Sequence, residues 1–552
     1  MGKRVSFRHY FYLFFIILGF VAAFDYYFYG NLCENSFNSY SVSRISEDIK
    51  IISKEHHSIQ HSKERKVVRD FLSQRLQECN GIVEIFNYDS IRCKFGGEYD
   101  ISNVYASFPP DNVTDSTQYV LLVAHYDSRF FNVVKGDTVY SYGAADDGYG
   151  LGVILECVNI ASNYRKEWNQ GIKVLFTDSE EHELDGMRNA YNNDGDIFKN
   201  VNLIINVEAR GVKGPVVLFE TSNNNSELVN LYKESKNPYG YSITSLIYNM
   251  LPNDTDFSVV KDYIAGFNFS VLDNLNYYHT DKDNFNNISL ASLSHYGEQI
   301  LPILKKYLTD PIYSHKDCFI KDKNDIYFTL PIFGLIHFSK FKYLILNIIT
   351  FIFFFMSLLI IYYKLPFKNL FKRTFKYIIY IFIMLISLFL LGTLIAWLFA
   401  RVNCVEFNII SVKYANYDSA LFIICTLLTI FLSWFLVNRI SKKQDGSRHC
   451  ILSGILIILF ILSLLMLIFL GENFIFLIPL LFSSLTILLY PIKYLRFISY
   501  FTAFIISILG TSFVFLLYIA ITIGSLGIFM VIIFLFSLLL ASLYYSYMRN
   551  LG

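Results

Sequence analysis

YVLLVAHYDSRFFNVVKGDTVYSYGAADDGYG, residues Tyr119 to Gly150, bears on the fold and the chemistry together. An apolar run from Tyr119 to Ala124 ends in His125, Tyr126 and Asp127. A polar loop follows and closes on Gly143-Ala144-Ala145-Asp146-Asp147-Gly148. Short apolar runs bounded by polar and glycine-rich signals read as buried strands. In open α/β sheets ligands gather just past the carboxyl ends of such strands. His125 and Asp146 therefore stand where metal ligands are expected.

The same grammar recurs on both sides of this stretch. Ile82 to Phe86, Val104 to Phe108, Ile172 to Thr177, Val201 to Val207, Val216 to Phe219 and Gly266 to Leu272 read as further strands. Gly148 to Ala161 and Ser289 to Leu308 read as helices, the second amphipathic. Ser43 to Gln77 reads as a polar helical segment, with His56, His57 and His61 on a solvated face. Strands alternating with helices predict an α/β/α sandwich around a mixed, largely parallel sheet.

The chain has 552 residues, too many for one ordinary domain, and its 54% hydrophobic content is concentrated beyond about Lys340. About seven spans there are long enough to cross a bilayer: roughly Tyr343–Tyr363, Tyr377–Phe399, Ala420–Val437, Ile451–Leu470, Phe474–Tyr490, Phe497–Ile521 and Ser525–Tyr547. Tyr10 to Phe28 forms an eighth, either a signal anchor or a signal peptide cleaved near Val21-Ala22-Ala23. Three domains are expected: an anchor over 1–30, an α/β domain over 31–340 and an all-α membrane domain over 341–552. Lys364, Lys368, Lys372, Arg373 and Lys376 crowd one loop; Arg439, Lys442, Lys443 and Arg448 crowd another; Lys493 and Arg496 lie in a third. With Lys3, Arg4 and Arg8 at the start, this alternation puts both termini in the cytosol and residues 31–340 outside it. No span carries an ionisable residue near its middle, which argues for an anchor or partner platform rather than a transporter. A net charge of +1 excludes a strongly basic nucleic-acid binder. Sequons at Asn112, Asn224, Asn253, Asn268 and Asn287 are consistent with a lumenal face. Cys79 and Cys93 read either as a disulfide or as two free thiols.

Three more fragments follow or end strands: Asp178-Ser179-Glu180-Glu181, Glu208-Ala209-Arg210-Gly211, and Tyr277-Tyr278-His279-Thr280-Asp281-Lys282-Asp283. Mixed imidazole and carboxylate donors suit zinc. Two such ions need a shared ligand, and the two oxygens of Asp146 can serve. Asp127, two residues from His125, is placed to hydrogen-bond the free ring nitrogen of that histidine. Adjacent glutamates allow one to bind metal while the other accepts a proton from water. Taken singly, each fragment also reads as a surface pair, a turn or a helix cap.

In this order the fragments AHYDS, GAADDG, EE, NVEARG and YHTDKD resemble the co-catalytic di-zinc aminopeptidase and glutamate carboxypeptidase family. NVEARGVKGPVVLFETS and LPNDTDFSVV are similar to its multi-pass membrane branch, the endoplasmic reticulum metallopeptidase and vacuolar membrane protease group. The likeness covers about residues 60–310. It implies two zinc ions bridged by Asp146, with His125 and Glu208 on one and Glu181 and His279 on the other. Glu180 would be the general base, Asp127 the partner of His125, and Tyr278 a donor to the scissile carbonyl. Many soluble members have Asp where this chain has Glu208, which leaves amino- versus carboxyl-terminal preference open. Arg210 can meet a substrate carboxylate or form a structural ion pair.

The resulting expectation is a membrane-anchored zinc exopeptidase, an aminopeptidase first, acting on peptides on the non-cytosolic side of an endoplasmic reticulum, vacuolar or bacterial membrane. Two rivals stand beside it. A glutaminyl cyclase on the same fold resembles a one-zinc site, so metal stoichiometry separates it. A catalytically silent partner-binding relative typically lacks ligands, and all five are present here.

Overall fold

In the computed structural model, residues 7–26, 40–249, 253–321, 323–363, 367–442 and 447–548 are described. Lys3, Arg4, Lys364 and Lys443 of the basic clusters, the boundary at 30/31, and Leu251 and Pro252 of the LPNDTDFSVV stretch lie outside them. The chain forms two compact units. One is Tyr26–Thr329 with Phe333–Lys340; the other is Met1–Asp25 with Leu330–Ile332 and Phe341–Gly552.

The first unit is built on a seven-stranded sheet. Its strands are β1 (Ile82–Arg92), β2 (Glu98–Phe108), β3 (Tyr119–His125), β4 (Gly171–Thr177), β5 (Val201–Ala209), β6 (Lys213–Thr221) and β7 (Gly266–Asp273), in the order β1-β2-β4-β3-β5-β7-β6. The four central strands, β4, β3, β5 and β7, run parallel; β1, β2 and β6 are antiparallel to their neighbours. All seven expected strands are present, several longer than their apolar runs.

Alternation along each strand divides the core into two layers. Val120, Leu122 and Ala124 of β3 join Ile172, Val174 and Phe176 of β4 and Leu203, Ile205 and Val207 of β5 in the larger layer. Leu121, Val123, Leu175 and Ile204 point to the smaller one. The helices Val42–Ile52, Ser62–Glu78, Gly148–Ser162 and Leu290–Thr309 contribute to the larger layer; Met187, Ala190, Phe257 and Val260, from Asp185–Asn193 and Asp256–Val260, close the smaller. Each large apolar side chain so buried stabilises the unit by about 1.5–3 kcal/mol before entropy is counted. Lys173 is buried in β4, and its ammonium donates to the carbonyls of Asp196, Ile197 and Lys199. A sheet covered on both faces exposes its chemistry only at its edges, and the carboxyl edge of the parallel strands carries every fragment singled out above.

The segment Ser43–Gln77 corrects one expectation. It is two helices, Val42–Ile52 and Ser62–Glu78, with His56 and His57 in the connection and His61 at the start of the second. Ile45, Ile49 and Ile52 form a buried stripe, and the chain must turn once that stripe ends. His57 is buried rather than solvated, and its main-chain N–H donates to Ser128 Oγ at 3.1 Å. Cys79 and Cys93 are both free thiols.

The second unit is helical. Among the described residues, six helices are long and apolar enough to cross a membrane: Lys340–Tyr363, Phe371–Val402, Asp418–Ser441, Ser447–Leu470, Lys493–Ile521 and Ile523–Tyr547. The expected span at Phe474 is a 16-residue helix, Phe474–Leu489. At 1.5 Å per residue it is ~24 Å long, short of a ~30 Å hydrocarbon core. The N-terminal helix Phe7–Ala22 also has 16 residues.

The turn after β5 is the tightest backbone approach near the carboxyl edge. A Cβ on Gly211 would lie 2.2 Å from Asp273 O and 2.7 Å from Leu272 C. Gly211→Ala should force β5 and β7 apart there, at a cost of about 1–3 kcal/mol. Thermal unfolding of the purified chain should show a melting temperature lower by roughly 2–5 °C.

Candidate metal centre

Register brings the first two groups level. His125 pairs with Thr177 across β3/β4, and Val123 pairs with Asn206 across β3/β5. Two residues further on, His125 and Glu208 therefore stand side by side on the same face. Glu208 lies within β5 rather than beyond it. The loop to Gly148 carries Asp146 back over this edge, so that Asp146 Oδ1 is 3.3 Å and Glu208 Oε2 3.8 Å from His125 Nε2. On its other oxygen Asp146 faces His279, at 3.3 Å from Nε2, and His279 Nε2 is 3.0 Å from Glu181 Oε1.

All five expected ligands thus converge, in two groups of three that share Asp146: His125, Asp146 and Glu208, and Asp146, Glu181 and His279. Within each group the candidate donor atoms lie within 4.8 Å of one another. Asp146 Oδ2, Glu181 Oε1 and His279 Nε2 are buried and make no hydrogen bond. Three orphaned donors facing one another fit a cation, since buried polar atoms otherwise find partners. The donor set, imidazole with carboxylate, is one that zinc accepts.

The surrounding residues fix these side chains. His125 Nδ1 meets the main-chain carbonyl of Asp127 at 2.9 Å, while the Asp127 carboxylate stands 3.6 Å away. That carboxylate instead accepts the N–H groups of Glu180 (2.9 Å) and Glu181 (3.2 Å). Asp127 so orients the histidine with one group and both glutamates with another. The Asp-Asp pair divides its labour too: Asp146 faces the histidines, whereas Asp147 accepts from Gly150 N and caps the helix Gly148–Ser162. Tyr278 stacks on His279, ring centroids 3.6 Å apart. Glu180 belongs to neither ligand group; its Oε2 is 4.0 Å from His125 Nε2.

Two supporting residues were not assigned roles from sequence. Asp283 accepts from Ala145 N (2.7 Å), Asp146 N (3.3 Å) and Ser141 Oγ (3.1 Å), holding the loop that presents Asp146. It ends the YHTDKD fragment, so the signal was on view without a reason to separate it from Asp281. Arg129 donates through Nη1 to Glu181 O and Glu181 Oε2, both at 2.9 Å, leaving Oε1 for His279 and a cation.

Charge is the dominant feature of the site. Burial, with Glu208 and Glu181 nearby, pushes the Glu180 carboxyl well above its ordinary value. Burial and Asp146 push Glu208 up to about 8. Burial opposes ionisation of Glu181 too, but His279 and Arg129 outweigh it and hold that group well below the ordinary range. Burial would lower His125, yet Glu180, the bonds to Asp127 and Asp146, and Glu208 raise it instead.

A carboxyl whose folded pKa is raised lends stability at low pH and loses it as pH rises through that value. The protonated His125 imidazole works in the same sense. Metal-stripped protein should therefore lose stability as pH rises from about 5 to about 8, by up to ~1.4 kcal/mol per pH unit for each such group, read as a falling melting temperature. A divalent cation should flatten that slope. A slope unchanged by zinc would show that these groups do not hold it.

Residues 103–304 match the model of peptidase family M28. The chain is 28% identical over 226 residues to mouse endoplasmic reticulum metallopeptidase 1, covering 39% of this chain and 23% of that protein. It is 32% identical over 180 residues to the vacuolar membrane protease of Verticillium alfalfae, covering 32% and 16%. These matches span less than a quarter of either relative's length. Among solved structures, the glutaminyl cyclase of Bacteroides thetaiotaomicron aligns with 49% of this chain and 98% of its own, at 17% identity and a TM-score of 0.40. With two histidine–carboxylate groups joined at Asp146 inside the matched segment, the chain carries a metallopeptidase domain of family M28.

Proposed function

We propose that this protein is a membrane-anchored, zinc-dependent exopeptidase, first an aminopeptidase, that hydrolyses peptides on the non-cytosolic side of its membrane. One observation carries the reading: two ligand groups share a carboxylate, and a further buried carboxylate, Glu180, lies beside them without belonging to either.

In this reading His125, Asp146 and Glu208 hold one zinc ion, and Asp146, Glu181 and His279 the other. When bound, the pair supplies Lewis acidity toward water and the scissile carbonyl. Glu180 takes the proton of the attacking water and passes it to the leaving amine. Its main-chain N–H is fixed by Asp127, and its carboxylate lies 4.0 Å from His125 Nε2 without joining either ligand group. Tyr278, whose phenol is pushed well above its usual value by burial and by Asp146, stays protonated and donates to the developing oxyanion.

The side of the membrane rests on the basic loops at 364–376 and 439–448, each next to helices long enough to cross. The sequons agree with it in part. Asn112 and Asn224 are exposed. Asn268 is buried in β7, where its amide donates to Glu220 Oε2 (3.1 Å) and Thr255 Oγ1 (2.9 Å), so it is no acceptor in the folded chain.

Glu180→Gln should retain two zinc ions per chain by elemental analysis and lose about 10²–10⁴-fold in kcat. Full turnover in that variant removes the mechanism, and one metal per chain in the wild type favours the cyclase-like alternative. A chelator should abolish hydrolysis of aminoacyl reporter peptides. In a glycosylating host, the chain should migrate faster after removal of N-linked glycans, and N112Q with N224Q should reduce that shift. Cytosolic protease access to residues 40–321 in sealed microsomes would reverse the orientation.

A further inference from the structure

Arg210 is the first residue past the end of β5 and lies two residues beyond Glu208. The register β5/β7 runs through Glu208↔Ser270 and Ala209↔Val271, and Arg210 N continues the ladder to Val271 O at 2.9 Å. Two residues along a strand advance ~6.6 Å, so Arg210 sits one pleat repeat outward from Glu208. It is half-buried, and among the described residues its guanidinium has no ion-pair partner and no hydrogen bond. This sets it apart from Arg129, the other arginine close to the centre, which is spent on Glu181.

Arg210 follows the candidate ligand Glu208 by two residues, which puts its backbone beside the candidate metal centre. An unpaired guanidinium in this position adds a positive charge next to a carboxylate-rich site holding Asp146, Glu180, Glu181 and Glu208. The peptide chain advances at most ~3.3–3.6 Å per residue. A carboxylate one or two residues from a scissile carbonyl held at the metal centre therefore falls within one strand repeat of it.

On the reading that the site is a peptidase, we propose that Arg210 is a specificity-determining residue that receives a carboxylate of the substrate next to the scissile bond. That carboxylate is either the free carboxyl terminus of a dipeptide or an acidic side chain. Arg presents a planar fork of donors that matches a carboxylate bidentately, whereas Lys supplies only a point charge. The preferred substrates are thus short or acidic peptides rather than long neutral ones.

The test compares kcat/KM of the full-length zinc-loaded protein on three substrates: Leu-Ala with a free carboxyl terminus, Leu-Ala-amide, and Leu-Glu-amide. Wild type should favour a carboxylate-bearing substrate over Leu-Ala-amide by roughly 10- to 100-fold, mostly in KM. Preference for Leu-Ala identifies the terminal carboxylate, and preference for Leu-Glu-amide the acidic side chain. Arg210→Met should bring the ratio near one, Arg210→Lys should restore it only in part, and Arg210→Glu should invert it in favour of Leu-Ala-amide. A merely structural arginine would scale all substrates alike. Equal hydrolysis of the three by wild type, or a ratio unmoved in Arg210→Met, overturns the proposal and leaves the peptidase reading standing. Hydrolysis of none of them by wild type overturns both.

Discussion

Mutual repulsion among Asp146, Glu180, Glu181 and Glu208 is the constraint on which the first unit's architecture depends. All four carboxylates are at least nine-tenths buried by side chain. Taking one such ion from water costs several kcal/mol even after relaxation, and like charges at close range add to it. Two imidazoles and Arg129 offset part of this. Divalent cations held at the shared carboxylate would offset the rest, and by linkage whatever binds the folded state alone also stabilises it. A packed hydrophobic interior of two layers is what holds such a group of charges in one place.

Backbone groups do much of the positioning, which keeps the carboxylates available. Asp127 spends its carbonyl on His125 and its carboxylate on the amides of Glu180 and Glu181. Asp283 gathers the amides of Ala145 and Asp146. Both are buried acids whose partners are N–H donors, so they fix loops without competing for the histidines. Their reach explains why residues from Ala145 to Asp283, far apart in sequence, meet: the parallel strands deliver every loop to one edge, and two aspartates tie the loops there.

The fold was legible in the sequence wherever a run of residues had one reading. VLLVA, IKVLFT and VNLIINV are buried on both faces, and each is a central strand. The five candidate ligands, which the structure brings together, stood out in the sequence because each ends or follows such a strand. What escaped was local and tertiary. The break at Ser53–His61 depends on where a buried isoleucine stripe stops, not on a proline or glycine. Asp283 and Asp281 flank one lysine and look alike; only the approach of the GAADDG loop distinguishes them. The sequon at Asn268 matches the acceptor pattern, yet its strand is interior. Phe474–Leu489 is apolar throughout, and its shortfall lies in length, because Pro479 and the turns at its ends are compatible with either reading.

Glu208 shows how a single methylene can be accommodated. Its carboxylate reaches His125 Nε2 at 3.8 Å on one oxygen while the other accepts from Asn206 Nδ2 at 3.3 Å, two residues back on the same face. The longer arm thus leans along the strand and leaves the β5/β7 register through Ala209 intact. Asn206 and Glu208 then stand one repeat apart on the strand, a brace and a candidate ligand, with Arg210 just past its end. The alternation that buries Val207 and Ala209 on the opposite face exposes this pair to the site. Moving the strand by one residue would exchange the two sets, so the strand's hydrophobic pattern and its chemistry are the same constraint.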